Sequence, residues 1–164
     1  MESFATHPAF VEFVAGRVRD ELARLPGAHV VFSAHSLPVK ILESGDPYPR
    51  ELADTADAIA ARLGLTEYGI AWQSAGRTGE EWLGPDLSDV IRRLADDGAP
   101  AVVSCPVGFV SDHLEVLYDV DIEARGVADE RGVAFARTAS PNADPAFIAA
   151  LGAVIRDHLD RENP

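Results

Sequence analysis

The chain has 164 residues, of which 47% are hydrophobic and 25% are charged, and these values fit one globular domain with its own core. Its net charge of −13 argues against a nucleic-acid surface and against attraction to anionic lipid.

The single cysteine excludes an internal disulfide and a four-cysteine cluster built by this chain alone. No apolar run approaches the roughly 20 residues that a membrane span needs, and the first residues lack the basic and apolar regions of a signal peptide. We therefore expect a cytoplasmic protein without a membrane span.

Helices alternate with short strands along the predicted chain. Apolar residues that recur every three or four positions predict helices over about 8–25, 49–63, 85–97, 112–130 and 145–159. Short runs rich in β-branched and aromatic residues predict strands over 29–33, 68–73, 101–105 and 133–138. Residues 34–38 are predicted as a loop, and 39–48 stays ambiguous.

The third and the last of these helices carry more specific expectations. Pro85 suits the first turn of the third helix, and Asp144 is predicted to cap the last one, with Pro145 at its first position. The inner face of the last helix is predicted to consist of Phe147, Ile148, Leu151, Val154, Ile155 and Leu159.

Four buried strands separated by helices predict a four-stranded parallel sheet in a three-layer α/β/α sandwich of the Rossmann-like kind. Ligands of such folds bind beyond the carboxyl ends of the strands. Polar and aromatic residues occur at those ends in this sequence: His35, the run Trp72-Gln73-Ser74, the segment 105–115, and Asn142. We expect the functional site at this edge.

A row of carboxylates distinguishes the predicted fourth helix. Glu115, Asp119 and Glu123 recur at i, i+4 and i+8 and therefore share one helix face. Like charges at that spacing repel one another, so a divalent cation would be their natural partner. A solvated acidic face on an acidic protein explains the same pattern, and the spacing alone leaves both alternatives open.

The familiar sequence fingerprints of catalysis are missing. The sequence contains no GxGxxG, no GxxxxGK[ST] and no GxSxG motif. His35 remains a candidate metal ligand or base, although a capping or core role is equally compatible with its position. Cys105 is expected to be a core thiol.

The other histidines, His7, His29, His113 and His158, receive ordinary structural interpretations, with His113 expected to point away from Glu115.

Several motifs in order give the chain a specific resemblance. They are Ser-Ala-His-Ser-Leu-Pro at 33–38, Gly-Asp-Pro-Tyr at 45–48, Trp-Gln-Ser at 72–74, Trp-Leu-Gly-Pro at 82–85, Pro-Val-Gly-Phe at 106–109, Asp-His-Leu-Glu at 112–115 and Asp-Val-Asp-Ile-Glu at 119–123. From about residue 8 onward the sequence resembles the C-terminal half of a ferrochelatase. The residues in these motifs are most similar to those of ferrochelatases of the Gram-positive type. Those enzymes insert Fe²⁺ into coproporphyrin III, whereas the others use protoporphyrin IX.

The resemblance implies roles for individual residues. The family's catalytic histidine and glutamate fall on His35 and Glu115, which would bind the metal and accept pyrrole protons. Asp119 and Glu123 fall on an outer metal path, in a helix that the family often widens to π geometry. The aromatic near the macrocycle falls on Trp72, and Gln73 and Ser74 beside it are assigned to the substrate.

The chain also departs from the family it resembles. A ferrochelatase has about twice this length, so the sequence is interpreted as one C-terminal-like domain over 1–164 without the N-terminal half. Some members carry a [2Fe–2S] cluster with a cysteine where Ser111 stands here, and no cluster is predicted. Fe²⁺ would be a substrate.

Three function classes stay open: metal insertion with a separate N-terminal partner or by self-association, a non-catalytic half-domain that binds a porphyrin or a metal, and a purely structural half-domain. An exposed apolar face near Trp72, Phe109 and Val110 would favour the first two. Whether Arg77 or another base binds a porphyrin carboxylate stays open at this point.

Overall fold

A computed structural model describes residues 3–76 and 78–162. The helices are α1 (Pro8–Arg24), α2 (Tyr48–Leu63), α3 (Leu87–Asp96), α4 (Arg125–Arg131) and α5 (Pro145–Glu162), with a 3-10 helix at Val39–Ser44 and a π-helical segment at Val116–Ala124. The strands are β1 (His29–His35), β2 (Gly69–Gln73), β3 (Ala101–Cys105) and β4 (Ala134–Arg137).

The four strands form one sheet in the order β2-β1-β3-β4, and every neighbouring pair is parallel. Side chains alternate between the two faces of a strand, and β1 shows this clearly. Val30 and Phe32 pack with α1, α2 and α5, whereas Val31 packs with α3, the π-helical segment and α4. The predicted three-layer α/β/α architecture is therefore confirmed.

Strand β1 is longer than its sequence predicts. Ala34 and His35 were expected in a loop, but they pair with Trp72 and Gln73 of β2. Neither alanine nor histidine is a strong strand former, so only the presence of the neighbouring strand reveals this extension. His35 is consequently the last residue of a strand with a fixed backbone.

Helix α3 begins two residues later than predicted. Asp86 is its N-cap and accepts a hydrogen bond from the Ser88 amide at 2.8 Å. Pro85 lies before the cap, where its carbonyl accepts from the Trp72 amide at 2.9 Å. The prediction placed Pro85 inside the helix because proline favours a first turn, but the aspartate is the stronger cap.

The predicted inner face of α5 is wrong in half of its members. Phe147 and Val154 are buried as expected, but Ile148 and Ile155 are each 54% exposed, and Leu159 is also exposed. This helix packs along α1 through a narrow stripe, and its apolar residues surround more of the helix than that stripe can cover. Within the described ranges, no helix is both long enough and apolar enough to cross a bilayer.

Candidate functional site

The carboxyl ends of all four strands lie at one edge of the sheet, as the parallel topology requires. His35 shares the face of β1 that carries Val31, because these residues are four apart in a strand. That face is covered by the π-helical segment. Strand alternation thus directs the imidazole towards the helix that follows Glu115.

His35 and Glu115 lie opposite one another across this edge. The Nε2 atom of His35 is 3.6 Å from Oε2 of Glu115. The Nδ1 atom of His35 contacts the Ser36 carbonyl oxygen, which can only accept, so Nδ1 carries the proton in the neutral ring. The unprotonated Nε2 then faces the carboxylate, and this is the nitrogen that is free to bind a metal or accept a proton.

The backbone around His35 is fixed by three hydrogen bonds. The Tyr48 hydroxyl donates to the His35 carbonyl at 3.1 Å. The Ser36 amide donates to the Gln73 carbonyl at 2.7 Å, and the buried Ser36 hydroxyl donates to the Leu83 carbonyl at 2.7 Å. Burial raises the pKa of Tyr48 above its ordinary value, which is already well above neutral. Sequence reasoning assigned Tyr48 no role, although it closes one of the quoted motifs.

Glu115 has a second imidazole neighbour, His113, which the sequence predicted to point away from it. Nδ1 of His113 lies 3.9 Å from the same Oε2 atom, and the His113 ring lies 5.1 Å from the Phe109 ring. The expectation that His113 points away from Glu115 is wrong. It assumed helical geometry, in which residues two apart face different directions, but His113 precedes the first helical residue.

The carboxylate ladder divides between two places. Asp119 accepts a hydrogen bond from the Ser74 hydroxyl. Asp119 and Glu123 line an open pocket of about 240 Å³ with Gln73, Ser74 and Asp86, and Glu115 does not line it. Within residues 3–76 and 78–162, no three or more histidine, cysteine or acidic side chains are arranged to hold one metal ion.

The π geometry implied by the resemblance is present over Val116–Ala124, and both Asp119 and Glu123 belong to it.

The predicted substrate residues 72–74 point to both faces of the sheet. Trp72 pairs with Ala34, packs on Ala34 and Leu52, and is 6% exposed. Gln73 pairs with His35 and shares its face, and it is 1% exposed. Alternation along the strand separates the two side chains, so Gln73 rather than Trp72 lies on the His35 side.

Gln73 holds an unusual buried amide. Its Oε1 accepts from the Ser33 hydroxyl at 2.9 Å, while its Nε2 is buried without a hydrogen-bond partner among the described residues. A buried donor of this kind is costly to leave unpaired. Gln73, one of the residues that line the pocket with Asp119 and Glu123, therefore holds a buried donor that the described residues do not satisfy.

The exposed apolar residues are not those that the sequence singled out. Phe109, like Trp72, is buried, and only Val110 of the three predicted residues is exposed. The exposed apolar side chains near the site belong to the helix: Leu114 at 79%, then Leu117, Tyr118 and Ile122. Trp72 and Phe109 are buried because the sheet and its helices already cover them.

Two other expectations concern single side chains. Cys105 is a buried core thiol as predicted, and burial raises its pKa to about 12. Arg77, the candidate base for a porphyrin carboxylate, lies outside the described residues.

Comparison with known proteins gives consistent results. The ferrochelatase family model matches residues 1–159. A coproporphyrin III ferrochelatase of Anoxybacillus flavithermus is 51% identical over 99% of this chain and 53% of that protein. Another, from Bacillus subtilis, is 46% identical over 98% of this chain and 54% of that protein. The chain thus spans about half the length of the curated relatives it matches.

A solved structure shares the fold at low sequence identity. It is described as a cobalamin (vitamin B12) biosynthesis CbiX protein from Marinobacter aquaeolei, with a TM-score of 0.56 and 17% identity. The match covers 82% of this chain and 98% of that one, which supports the α/β architecture alone.

Proposed function

Because the chain belongs to the ferrochelatase family, we propose that it supplies the catalytic half of a site that inserts Fe²⁺ into a porphyrin in heme biosynthesis. The observation that carries this proposal is the 3.6 Å approach of His35 Nε2 to the Glu115 carboxylate at the open edge of the sheet. Coproporphyrin III is favoured over protoporphyrin IX, since that substrate appears in the names of both curated relatives described above.

The chemistry requires a base and a metal ligand at the same place. A free-base porphyrin loses two pyrrole protons as it gains Fe²⁺, so the two N–H bonds are replaced by metal–nitrogen bonds. His35 in its neutral form offers Nε2, and Glu115 offers a carboxylate oxygen beside it. Glu115 is 52% exposed and can pass accepted protons to water.

The Asp119 and Glu123 carboxylates fit the role of an approach path for the metal. They line a pocket with Gln73, the residue that pairs with His35 in the sheet. Hard oxygen ligands at successive positions let an incoming cation exchange ligands stepwise. Gln73 and Ser74, which border the same pocket, are proposed to contact the substrate. The contact of Trp72 with the porphyrin stays a prediction.

A second candidate is a half-domain that binds a porphyrin or a metal without turnover. The strongly exposed Leu114 and Ile122 favour it, because they leave the helix side of the site without a cover. A separate N-terminal half, or a second copy of this chain, would close the cleft in the catalytic version of the proposal.

The test is anaerobic metallation of coproporphyrin III by the purified chain, followed through the Soret band, with protoporphyrin IX as the competing substrate. His35→Ala is the active-site variant, and His29→Gln is its matched control because His29 begins the strand that His35 ends. Size-exclusion chromatography of the same samples gives the assembly state.

Metallation that depends on His35 but not on His29 is the expected result. Porphyrin binding without metallation would transfer support to the non-catalytic half-domain. Metallation that survives His35→Ala would contradict the proposed site.

A further inference from the structure

Arg137 ends β4 and uses all three of its guanidinium nitrogens on two aspartates. Its Nε and Nη2 donate to Oδ1 and Oδ2 of Asp121 at 2.8 and 3.0 Å, a two-pronged contact. Its Nη1 donates to Oδ1 of Asp112 at 3.1 Å. The side chain is only 12% exposed, so this is a shielded pair rather than a surface one.

The Asp112 end of this network continues into a second loop. The Asp112 amide donates to Oδ1 of Asn142 at 2.8 Å, and Nδ2 of Asn142 donates back to Oδ2 of Asp112 at 2.8 Å. The Asn142 amide donates to the Val110 carbonyl, also at 2.8 Å. Nη1 of Arg137 also reaches the Thr138 carbonyl and the Ser140 hydroxyl at 3.3 Å. The segment before the helix is therefore tied to the segment after β4.

The two aspartates lie on either side of Glu115 and Asp119, two of the three proposed functional carboxylates. Asp112 lies just before the helix, Asp121 lies inside the π-helical segment, and Glu115 and Asp119 lie between them. A π-helix bonds i to i+5 and winds more slowly than an α-helix with its 3.6 residues per turn. Rewinding the segment as an α-helix would rotate Asp121 relative to Asp112, so one guanidinium could no longer reach both.

Among the described residues, the other side-chain hydrogen bond to this segment is the one that Ser74 donates to Asp119. Val116, Val120 and Ala124 are its buried stripe, whereas Leu117 and Tyr118 are exposed. π-Helical geometry is uncommon and needs specific support from its surroundings. The Arg137 contacts provide such support on the side that faces β4.

The electrostatics agree with a strong pair. Burial lowers the pKa of Arg137, but the hydrogen bond and charge of Asp121, followed by those of Asp112, outweigh it and raise the pKa overall. The Asn142 hydrogen bond is the main cause of the lowered pKa of Asp112, with Ser140 and Arg137 adding to it against the effect of burial.

We propose that Arg137 is a positioning residue that holds the π-helical segment in its winding and thereby sets where Glu115 and Asp119 lie. The effect of Arg137 on activity rests on the proposed function, because it assumes that Glu115 and Asp119 belong to the metal-insertion site. Arg137 itself touches neither metal nor porphyrin in this role.

Hydrogen–deuterium exchange of the full chain tests the structural part. Arg137→Lys keeps the charge but loses the fork geometry, and Asp121→Asn removes the charge and one of the two acceptor oxygens at the π-helical anchor. The matched control is Arg131→Lys, because Arg131 pairs with Asp96 at 2.7 Å on the neighbouring surface. We expect amide exchange over 116–124 to rise about tenfold in the first two variants, with β3 and the control unchanged.

Calorimetric titration with Co²⁺ alone tests the positioning part. We expect both variants to bind Co²⁺ about tenfold more weakly than the wild type and the Arg131→Lys control, because Asp119 moves with the segment. The proposal would be overturned if both variants exchanged their amides at the wild-type rate. It would also be overturned if exchange became faster while the Co²⁺ affinity stayed the same, or if the wild type bound no Co²⁺. Neither measurement uses porphyrin. If the chain fails to metallate coproporphyrin III, the proposed function is contradicted, but the exchange and Co²⁺ measurements still test the role of Arg137.

Discussion

The two sides of the candidate site are built in opposite ways. On the strand side, Ser33, Ser36 and Gln73 are fully buried, and the His35 backbone is fixed by hydrogen bonds. On the helix side, Glu115 is half exposed, and Leu114 is largely in solvent. The strand side is buried and held by hydrogen bonds, whereas the helix side presents carboxylates and apolar side chains to solvent.

This difference separates two tasks. A base and ligand that must keep one orientation benefits from a rigid strand end. Carboxylates that receive and pass on a cation benefit from contact with water and from neighbours at one-turn spacing. Changes on the strand side should therefore be nearly all-or-none, and changes on the helix side should be graded.

His35→Ala should lower the metallation rate more than any other variant. A smaller loss would contradict the difference between the strand side and the helix side. Removing the imidazole removes both the proposed base and a ligand, so we expect metallation to fall by about 1,000-fold or more. Initial rates with coproporphyrin III measure it. A loss no larger than that of a helix-side variant would show that the strand side has no special weight.

Glu115→Gln should follow, with a loss of about 100-fold, because the amide cannot accept a pyrrole proton while His35 remains in place. Initial rates with coproporphyrin III at one fixed pH measure this loss. A variant with the wild-type rate would contradict a role for Glu115.

Gly108→Ala tests how tightly the strand side is packed. A Cβ at residue 108 would lie 2.5 Å from the Cβ of Ala34 and 2.9 Å from its Cα, so backbone must shift. We expect a loss of about 1–3 kcal/mol in the free energy of unfolding, measured by urea denaturation. Gly126→Ala is the control, because nothing lies within 4 Å of a Cβ there. Equal losses in the two variants would show that the strand side can accommodate an added methyl group.

Asp119→Asn should have a graded effect on the helix side. The amide keeps the shape of the side chain but loses the charge that attracts a cation, so the apparent KM for Fe²⁺ should rise by about tenfold or less. The rate at saturating metal should change little. Ser74→Ala, which removes the hydroxyl donor to Asp119, is a useful companion with a smaller effect in the same direction. An unchanged metal dependence in Asp119→Asn would favour the solvated acidic face.

The smallest predicted effect concerns His29 at the other end of β1. Burial lowers its pKa, Arg93 adds to this, and Glu67 opposes it. The unfolded chain therefore binds more protons near and below the ordinary histidine value of about 6.5, and stability present above that pH falls as the pH drops. His29→Gln should remove this contribution, about 0.5 kcal/mol or less after allowance for solvent screening. Urea unfolding at pH 8 and pH 5 measures it, and an equal pH dependence in both proteins would be the contrary result.

Sequence patterns predict the strand side of the fold well. The bounds of β3 at 101–105 are confirmed, and so is the parallel sheet, because buried strands in parallel sheets are short apolar runs with clear ends. The extension of β1 to His35 depends on pairing with β2, which no local preference encodes.

The helix side was harder to predict. Spacing at i and i+4 places Glu115, Asp119 and Glu123 on one face of an α-helix, so it could not reveal that the ladder divides between His35 and a separate pocket. The predicted direction of His113 is wrong because this residue precedes the first helical residue, so helical spacing does not describe it. Arg137 carried no motif at all, since its importance lies in contacts with Asp112 and Asp121, which are distant in sequence.

The single cysteine has a practical consequence for spectroscopy. Cys105 is buried, and its thiol has a pKa of about 12, so at neutral pH it offers almost no thiolate to alkylating reagents. A cysteine introduced at an exposed position such as Leu114 would be the only reactive thiol on the chain. One fluorophore or spin label could then report the motion of the helix relative to the sheet without mutating the native residue.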